Sequence, residues 1–476
     1  MELRLLYPDT QLEIEITGIT TDSRLVEPGY LFIPLPGLNF KGDEFIKEAA
    51  LKGAKVAVLP SPFFSATIPI IVVSDIKSEL IRLLQIFYGQ PFEKLKVIGI
   101  TGTDGKTTSS LITSYLLGGF EKCAYIGTNG ISYLNKDFPN AFTTPILSEN
   151  YRLGDTFLKN NLPYMVMEVS SEGITANRIK TLCFDYAVFT NLSHEHLNTH
   201  HTLENYFSCK FQLFKQLKPH GIAIINNDDS MSKRFENISN LITFGFNEIS
   251  DYQIQNIRYG KKYTTFDIYS KSKIYKNFKL NRLEKYNLYN ALPGIIIALL
   301  EKVPLPLIYQ RLSTIPIISG RLERIEVETD FNIYIDFAHT PNALTAVLTN
   351  LKEKTKNNLI VICGAAGEKD KSKRPLMGKV ACDIADYVIF TSEDPKNEKA
   401  IDIINQMASG TTSSNFTKVV NRYKAIDLGI SIAGAGDTVI VTGKGRENLF
   451  EENGVIKPYS DYDSILRVVN SKKKKN

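Results

Sequence analysis

The stretch Lys96–Thr108, KVIGITGTDGKTT, decides how the rest of the chain is read. It opens as an apolar run with β-branched residues, the pattern of a buried strand, and breaks at Gly102 and Gly105. Lys106, Thr107 and Thr108 follow and lead into a helical pattern, SSLITSYLL. Strand, glycine turn, Lys-Thr and helix in that order suit a polyphosphate. The glycines let backbone N–H groups approach the oxygens, and the helix N-terminus adds positive potential. The lysine reaches the terminal phosphates, and a threonine hydroxyl can ligate Mg²⁺. The spacing departs from G-x-x-x-x-G-K-[ST], because position 100 is Ile. A GK[ST] on a loop is common by chance; the flanking strand and helix separate this one from a plain structural turn.

A chain of 476 residues is too long for one ordinary core and predicts two to four domains. With 43% apolar and 22% charged residues it reads as a soluble globular protein. The net charge of +5 is spread over the whole length, so it argues for neither nucleic acid nor a membrane surface. The run Lys472–Lys475 is the one dense basic block and reads as a solvated tail. The first residues, MELRLLYPDTQ, carry charges where a signal peptide needs an apolar core, and no apolar run reaches membrane length. Cys123, Cys183, Cys209, Cys363 and Cys382 stand singly, with no C-x-x-C pair. Buried reduced thiols, a cytoplasmic protein and no zinc ribbon are expected.

Residues 1–92 read as a small N-terminal α/β unit, with a Pro-Gly turn inside GITTDSRLVEPGYLFIPL and a helix, Gly stop and strand in IKEAALKGAKVAVLP. Residues 93–318 form the domain opened by the phosphate loop. Its strand-like runs, at 124–128, 164–171, 186–197 and 221–229, each end in polar residues. Parallel strands separated by helices bring their carboxyl ends to one edge, where ligands bind. Glu168, Asn191, His194 and His196 are therefore expected to face the phosphate loop. A carboxylate at Glu168, after YMVM, would be costly to bury unpaired, and Mg²⁺ would relieve that cost. Lys210, in ENYFSCKFQLFKQL, reads by itself as a solvated helix-face lysine. His194, His196, His200 and His201 lie close in sequence, but without H-E-x-x-H they support a zinc site only weakly. After the helix NLYNALPGIIIALLEKV and a linker, IPIISGRLERI, residues 319–476 give a second doubly wound sheet. The fold class is α/β, with a central P-loop-type sheet flanked by the small N-terminal domain and a Rossmann-like C-terminal one.

GTDGKTT, MEVSS at 167–171, FTNLSHEHL at 189–197, SGRLE at 319–323, DFAHTPNAL at 336–344, GEKDKSKRPLMG at 367–378 and TGKGRE at 442–447 occur in one order along the chain. In that order they resemble the Mur ligases, over essentially the whole length. Among these the chain is most similar to the MurE branch, which adds the third residue of the cell-wall peptide to UDP-N-acetylmuramoyl-L-Ala-D-Glu. The resemblance implies an ATP-dependent, Mg²⁺-requiring amide ligase of peptidoglycan synthesis, cytoplasmic and monomeric. In such an enzyme ATP phosphorylates a substrate carboxylate, and an amine then attacks the acyl phosphate. It also implies that Gly102, Thr103, Asp104, Gly105, Lys106, Thr107 and Thr108 hold the ATP phosphates, and that Asn290, Arg321 and Asp336 contact the nucleotide. Thr107, Glu168 and His196 would hold Mg²⁺, and Lys210 matches the carbamylated family lysine, which could bind a second ion. Lys106, Glu168, His196 and Lys210 are the implied catalytic set. Thr21, Ser23, Leu38, Asn39 and Phe40 match contacts to the UDP-sugar, and Thr143, Thr144, Ser170 and Arg178 match contacts to the muramoyl peptide.

The motif SSH is Ser170-Ser171-Glu172 here, and a usual Gln is Ala176. The amino-acid pocket of the resemblance falls on Lys369, Glu393, Asp394, Pro395, Lys396, Gly443 and Glu447. There Asp-Asn-Pro-Arg has become Glu393-Asp394-Pro395-Lys396, a second Arg is Lys369, and the His of GKGHE is Arg446. Arginine grips a carboxylate through a two-bond fork, whereas lysine offers a point charge. Diaminopimelate, L-lysine or another amino acid all remain open as the residue added. A paralogue acting on another carboxylate and a non-catalytic nucleotide-binding regulator are the competing readings.

Overall fold

The computed structural model describes residues 1–35, 45–62, 67–247, 249–271 and 273–473. They form a three-domain α/β molecule around three main sheets. In the first sheet β1 (Gly18–Thr20), β2 (Tyr30–Phe32), β3 (Val56–Leu59) and β4 (Ile70–Val72) pair in parallel in sequence order. The Pro28-Gly29 turn thus precedes β2 without closing a hairpin. The helix Ile76–Tyr88 follows, started by Asp75, whose carboxylate accepts from the N–H groups of Lys77 and Ser78, and stopped by Gly89 in the left-handed region.

The central sheet holds β5 (Lys96–Thr101), β6 (Cys123–Gly127), β7 (Gly130–Tyr133), β8 (Lys136–Phe138), β9 (Tyr164–Glu168), β10 (Phe184–Phe189), β11 (Leu217–Asn226), β12 (Leu241–Gly245), β13 (Tyr252–Tyr259), β14 (Thr264–Ser270) and β15 (Ile274–Leu280). Its order is β15-β14-β13-β12-β11-β10-β5-β9-β6-β7-β8. The strands from β13 to β6 pair in parallel, and each end of the sheet is extended by antiparallel strands that the sequence patterns did not announce. β5 lies in the middle, fully buried after Lys96, so the loop after it opens at the centre of the carboxyl edge. The helices Lys106–Leu116 and Lys285–Leu300 cover one face, the second tolerating Pro293 inside it. The other face shares one continuous apolar core with the first sheet.

The third sheet comprises β16 (Glu323–Arg324), β17 (Asn332–Asp336), β18 (Leu359–Cys363), β19 (Tyr387–Phe390), β20 (Phe416–Lys418) and β21 (Thr438–Thr442), in the order β16-β17-β21-β18-β19-β20. All but β16 pair in parallel, and an apolar core lies on each face. A small hairpin, β22 (Leu449–Glu452) with β23 (Val455–Pro458), stands apart from it. Arg446 ties this domain to the linker. Its guanidinium donates through Nε to Glu323 at 2.8 Å, and Glu323 also accepts from the Gly320 N–H at 2.8 Å.

Candidate active site

The glycines of the phosphate loop meet real geometric demands. Gly102 has φ +148° and Gly105 φ +84°. A Cβ at Gly102 would lie 1.9 Å from Thr190 Oγ1, and one at Gly105 would lie 2.4 Å from Asn290 Oδ1. The loop between them is fastened to the end of β10. The Thr103 N–H donates to the Asn191 carbonyl and the Asp104 N–H to Asn191 Oδ1, each at 2.9 Å, while the Thr190 hydroxyl donates to the Asp104 carbonyl at 2.7 Å. Lys106 bends back so that Nζ donates to the carbonyls of Gly102, at 3.0 Å, and Thr103, at 2.8 Å.

Glu168 is fully buried at the end of β9, yet it does not depend on a cation for partners. Its carboxylate accepts from Thr107 Oγ1 at 2.9 Å, Tyr125 OH at 2.6 Å, the Thr128 N–H at 2.9 Å and Thr128 Oγ1 at 3.3 Å. These donors meet the cost of burying the carboxylate, and of them Tyr125 and Thr128 read only as strand residues. Arg321, from the linker, donates to the same Thr107 hydroxyl at 2.9 Å and lies 4.6 Å above the Phe337 ring.

Lys210 is not solvated; it is 1% exposed, and its Nζ donates to the Gly102 carbonyl at 2.8 Å. Burial, reinforced by the neighbouring Lys106 ammonium, holds it well below the ordinary lysine range. His196 adopts φ +57° at the end of the SHEH loop. Burial first, then Lys210, Lys369 and Lys106, push its imidazole down to about 2, so its ring nitrogens stay neutral. Its Nδ1 lies 3.9 Å from Glu172 Oε1. Among the described residues no three His, Cys, Asp or Glu side chains converge as a ready-made metal cluster.

His194 departs from its expected place. Its Nε2 is 2.8 Å from Ser372 Oγ and 3.4 Å from Asp370, on the C-terminal domain, not on the phosphate loop. The neighbouring residues do the same. Glu195 and Lys373 form an ion pair at 2.9 Å in which each side chain is 3% exposed, and the Leu197 N–H donates to Asp370 at 3.3 Å. Lys373 also donates to the His339 carbonyl at 2.8 Å. Asp104 joins this set, accepting from Thr340 Oγ1 at 3.2 Å, while burial raises its carboxyl above the usual range. None of these partners across the domain boundary was identifiable from spacing, because each pair is far apart in sequence.

Asn290 packs its Oδ1 against Gly105 and donates to Asn287, which donates to Glu284. Asp336 is buried, and it accepts from the N–H groups of Leu322, at 2.6 Å, and Ala338, at 2.7 Å. Thr144 and Ser170 are joined to the Glu168 strand end, Thr144 Oγ1 donating to the Glu168 carbonyl at 2.9 Å and accepting from the Ser170 N–H at 3.0 Å. Arg178 donates to the Thr144 carbonyl at 3.1 Å, and Thr143 is 3.1 Å from Thr128 Oγ1. These four residues therefore lie together beside Glu168. Thr21 and Ser23 follow β1 in the first domain, and Ser23 donates to Glu48 at 2.6 Å. No hydrogen bond among the described residues joins them to the phosphate loop, and Leu38, Asn39 and Phe40 lie outside the described residues.

In the amino-acid set, Glu393 is buried and its Oε2 has no hydrogen-bond partner; a Cβ on Gly443 would lie 2.1 Å from that oxygen. Burial pushes its carboxyl up to about 7, against the pull of Arg422 and Lys444. Asp394 and Glu447 are both bound by Lys444, at 2.6 and 3.2 Å. Pro395 presses its carbonyl where a Cβ on Gly367 would fall, and Lys396, at φ +53°, donates its N–H to the Glu451 carbonyl. Lys369 Nζ donates to Glu172 Oε1 at 2.8 Å.

Comparison with known proteins places the chain in a family. Three family models match: "Mur ligase family, catalytic domain" over 15–84, "Mur ligase middle domain" over 100–298 and "Mur ligase, glutamate ligase domain" over 320–445. A UDP-N-acetylmuramoyl-L-alanyl-D-glutamate--2,6-diaminopimelate ligase of Aquifex aeolicus is 36% identical, covering 98% of this chain and 96% of that protein. The Bacillus licheniformis protein of the same name is 34% identical, covering 96% of each. A solved structure of a ligase with that name is 28% identical, with a TM-score of 0.63 and 99% of each chain covered. The MurF ligase of Thermotoga maritima in complex with ADP shares the fold at a TM-score of 0.70, with 18% identity over 96% of this chain and 98% of that one. The chain belongs to the Mur ligase family.

Proposed function

We propose that this protein is the ATP-dependent amide ligase that adds the third amino acid to UDP-N-acetylmuramoyl-L-Ala-D-Glu, in the cytoplasm and as a monomer. One observation carries the reading: Glu168 and Arg321 converge on the Thr107 hydroxyl beside the glycine loop, with buried Lys210 on the same loop's carbonyl. The domain division proposed with it is 1–92 for the UDP-sugar, 93–318 for ATP and the muramoyl peptide, and 319–476 for the amino acid. Among the described residues no helix is long and apolar enough to cross a membrane.

The residues fit a magnesium triphosphate. A Cβ at Gly102 or Gly105 would collide with Thr190 or Asn290, so this turn is held as bare backbone, and the oxygens of Thr107 and Glu168 with the neutral His196 form a donor set of the right chemistry. Bound Mg²⁺ would neutralise phosphate charge and draw the phosphoryl group and the substrate acid together. Lys106 leaves its two loop carbonyls for the β- and γ-phosphates, and Arg321 stabilises the charge that develops as the acid oxygen attacks and ADP departs. Thr143, Thr144, Ser170 and Arg178 hold the peptide whose carboxylate becomes the acyl phosphate. The amine then attacks the acyl carbon, and phosphate leaves. Lys210 is suited to carbamylation because only an uncharged amine adds CO₂, losing one proton, and burial disfavours the charged ammonium.

A diamino acid suits the third-residue set, in which Lys369 and Lys396 would receive its carboxylate and Glu393 and Glu447 its second amine. Diaminopimelate, named for the relatives, is the first candidate. The test is phosphate release with ATP, UDP-muramoyl dipeptide and a panel of amino acids including diaminopimelate and L-lysine. No release with any amino acid would refute the reading. Lys210→Ala should lose ligation by about a thousandfold and partly regain it with short added carboxylates, on the scale of a lost electrostatic group; full activity would make this lysine structural.

A further inference from the structure

Two positions at which this chain departs from the family motifs meet across the domain boundary. Glu172 stands where the motif it resembles has a His and Lys369 where it has an Arg, and the two form an ion pair at 2.8 Å. The side chains are 52% and 33% exposed, so the pair stands at the mouth of the cleft where a solute can reach it. Lys396, the other arginine replacement, and Arg178 also bear on Glu172, and together with Lys369 they outweigh burial and keep its carboxyl below the usual range. Beside the pair, Leu197, Asn198 and the segment 368–372 line a cavity of about 430 Å³.

We propose that Glu172 is a built-in stand-in for the carboxylate of the amino-acid substrate, holding the Lys369 ammonium until an incoming amino acid displaces it. The inference rests on the reading above that Lys369 receives that carboxylate. An arginine there could grip the ligand through two parallel bonds, and a histidine at 172 would not compete for it. With lysine and glutamate the ligand must exchange one carboxylate for another on a single point charge. A nucleophile without a carboxylate gains nothing by the exchange and leaves Glu172 in place. The pair therefore lowers affinity for the amino acid and narrows its advantage over a nucleophile that carries no acid.

Glu172→Gln, and independently Glu172→His, should lower the KM for diaminopimelate or L-lysine by about three- to fivefold, the scale of a partly exposed ion pair, with kcat little changed. Hydroxylamine, which traps the acyl phosphate as a hydroxamate and has no carboxylate, should show no such fall in KM. In a Lys369→Met background the gain from Glu172→Gln should vanish, since the competitor then has nothing to occupy. An unchanged amino-acid KM in both variants would overturn the proposal. So would an equal fall for hydroxylamine, or one that persists in Lys369→Met. If the unaltered protein forms neither hydroxamate nor ADP, the ligase reading fails first and takes this inference with it, a result distinguishable from all the others.

Discussion

Where the first sheet meets the central domain, Phe92 and Tyr151 touch edge to face at 5.0 Å, and Tyr88 donates its ring to the same cluster. Where the third sheet meets it, the corresponding contacts are Glu195 with Lys373, His194 with Ser372, Asp104 with Thr340 and Thr107 with Arg321. The first joint is a stretch of ordinary core, continuous from Leu3 and Ile19 through Phe92 to Val97 and Phe157. The second is built of directional, charged contacts, several of them on residues assigned to the phosphate site. Apolar burial is nondirectional and lost only on separation into water, whereas hydrogen-bonded ions can exchange partners with water or a ligand at small net change. The contrast suits one joint that stays shut and another that closes over substrates.

The strongest way to break this contrast is Phe92→Ala, which should lower global stability by about 3–5 kcal/mol, nearly independent of salt, in denaturant titration. A loss below 1 kcal/mol would mean the first joint is not part of the core. Glu195→Gln leaves Lys373 without its anion only when the second joint is shut. It should lower kcat/KM about a hundredfold, roughly 3 kcal/mol, while the denaturation midpoint of the first two sheets hardly moves. A large drop in that midpoint with activity intact would reverse the assignment.

Glu393→Gln probes the C-terminal domain away from both joints. Because burial raises this carboxyl from its ordinary 4.5 to about 7, the folded state binds the extra proton, and its contribution is whole below 4.5 and lost as pH rises through 7. The glutamine variant should gain up to about 3 kcal/mol over the parent at pH 8 and nothing at pH 4, read from thermal melts. Equal melts at both pH values would show that the carboxylate is already compensated. The smallest effect is that of salt. Raising it from 0.05 to 0.5 M should reduce ligation about two- to threefold through the exposed pairs of the second joint, with the unfolding of the first two sheets unchanged.

Much of this site is written locally in the chain. Gly102, Gly105, Lys106 and Thr107 sit at fixed offsets in one strand-turn-helix, and Glu168 and Asn191 mark the polar ends of apolar strands, so periodicity and turn chemistry suffice to place them. Tyr125 could not be read the same way, because a tyrosine inside CAYIG looks like core until Glu168 is seen to accept from it. Lys210 looked like a surface residue because helical spacing shows which residues share a face but not what lies opposite. The antiparallel extension β13 to β15 escaped for another reason. Asn256 and Asn277 take left-handed backbone conformations where the ladder slips, which interrupts the alternation that signals a strand. The contacts of His194 and Glu195 with residues more than 170 positions away depend on how two sheets are set against each other.

The clip between Arg446 and Glu323 has a consequence for nucleotide turnover. Because Glu323 also binds the Gly320 N–H, the segment from Gly320 onward travels with the C-terminal sheet, and the pivot must fall before it, between the end of the Leu305–Ser313 helix and Ser319. Arg321 rides on the moving side. On the proposed mechanism, an outward swing of that sheet would withdraw a guanidinium from Thr107 and from a phosphate bound there, and would gear release of spent ADP and admission of fresh ATP to a single hinge.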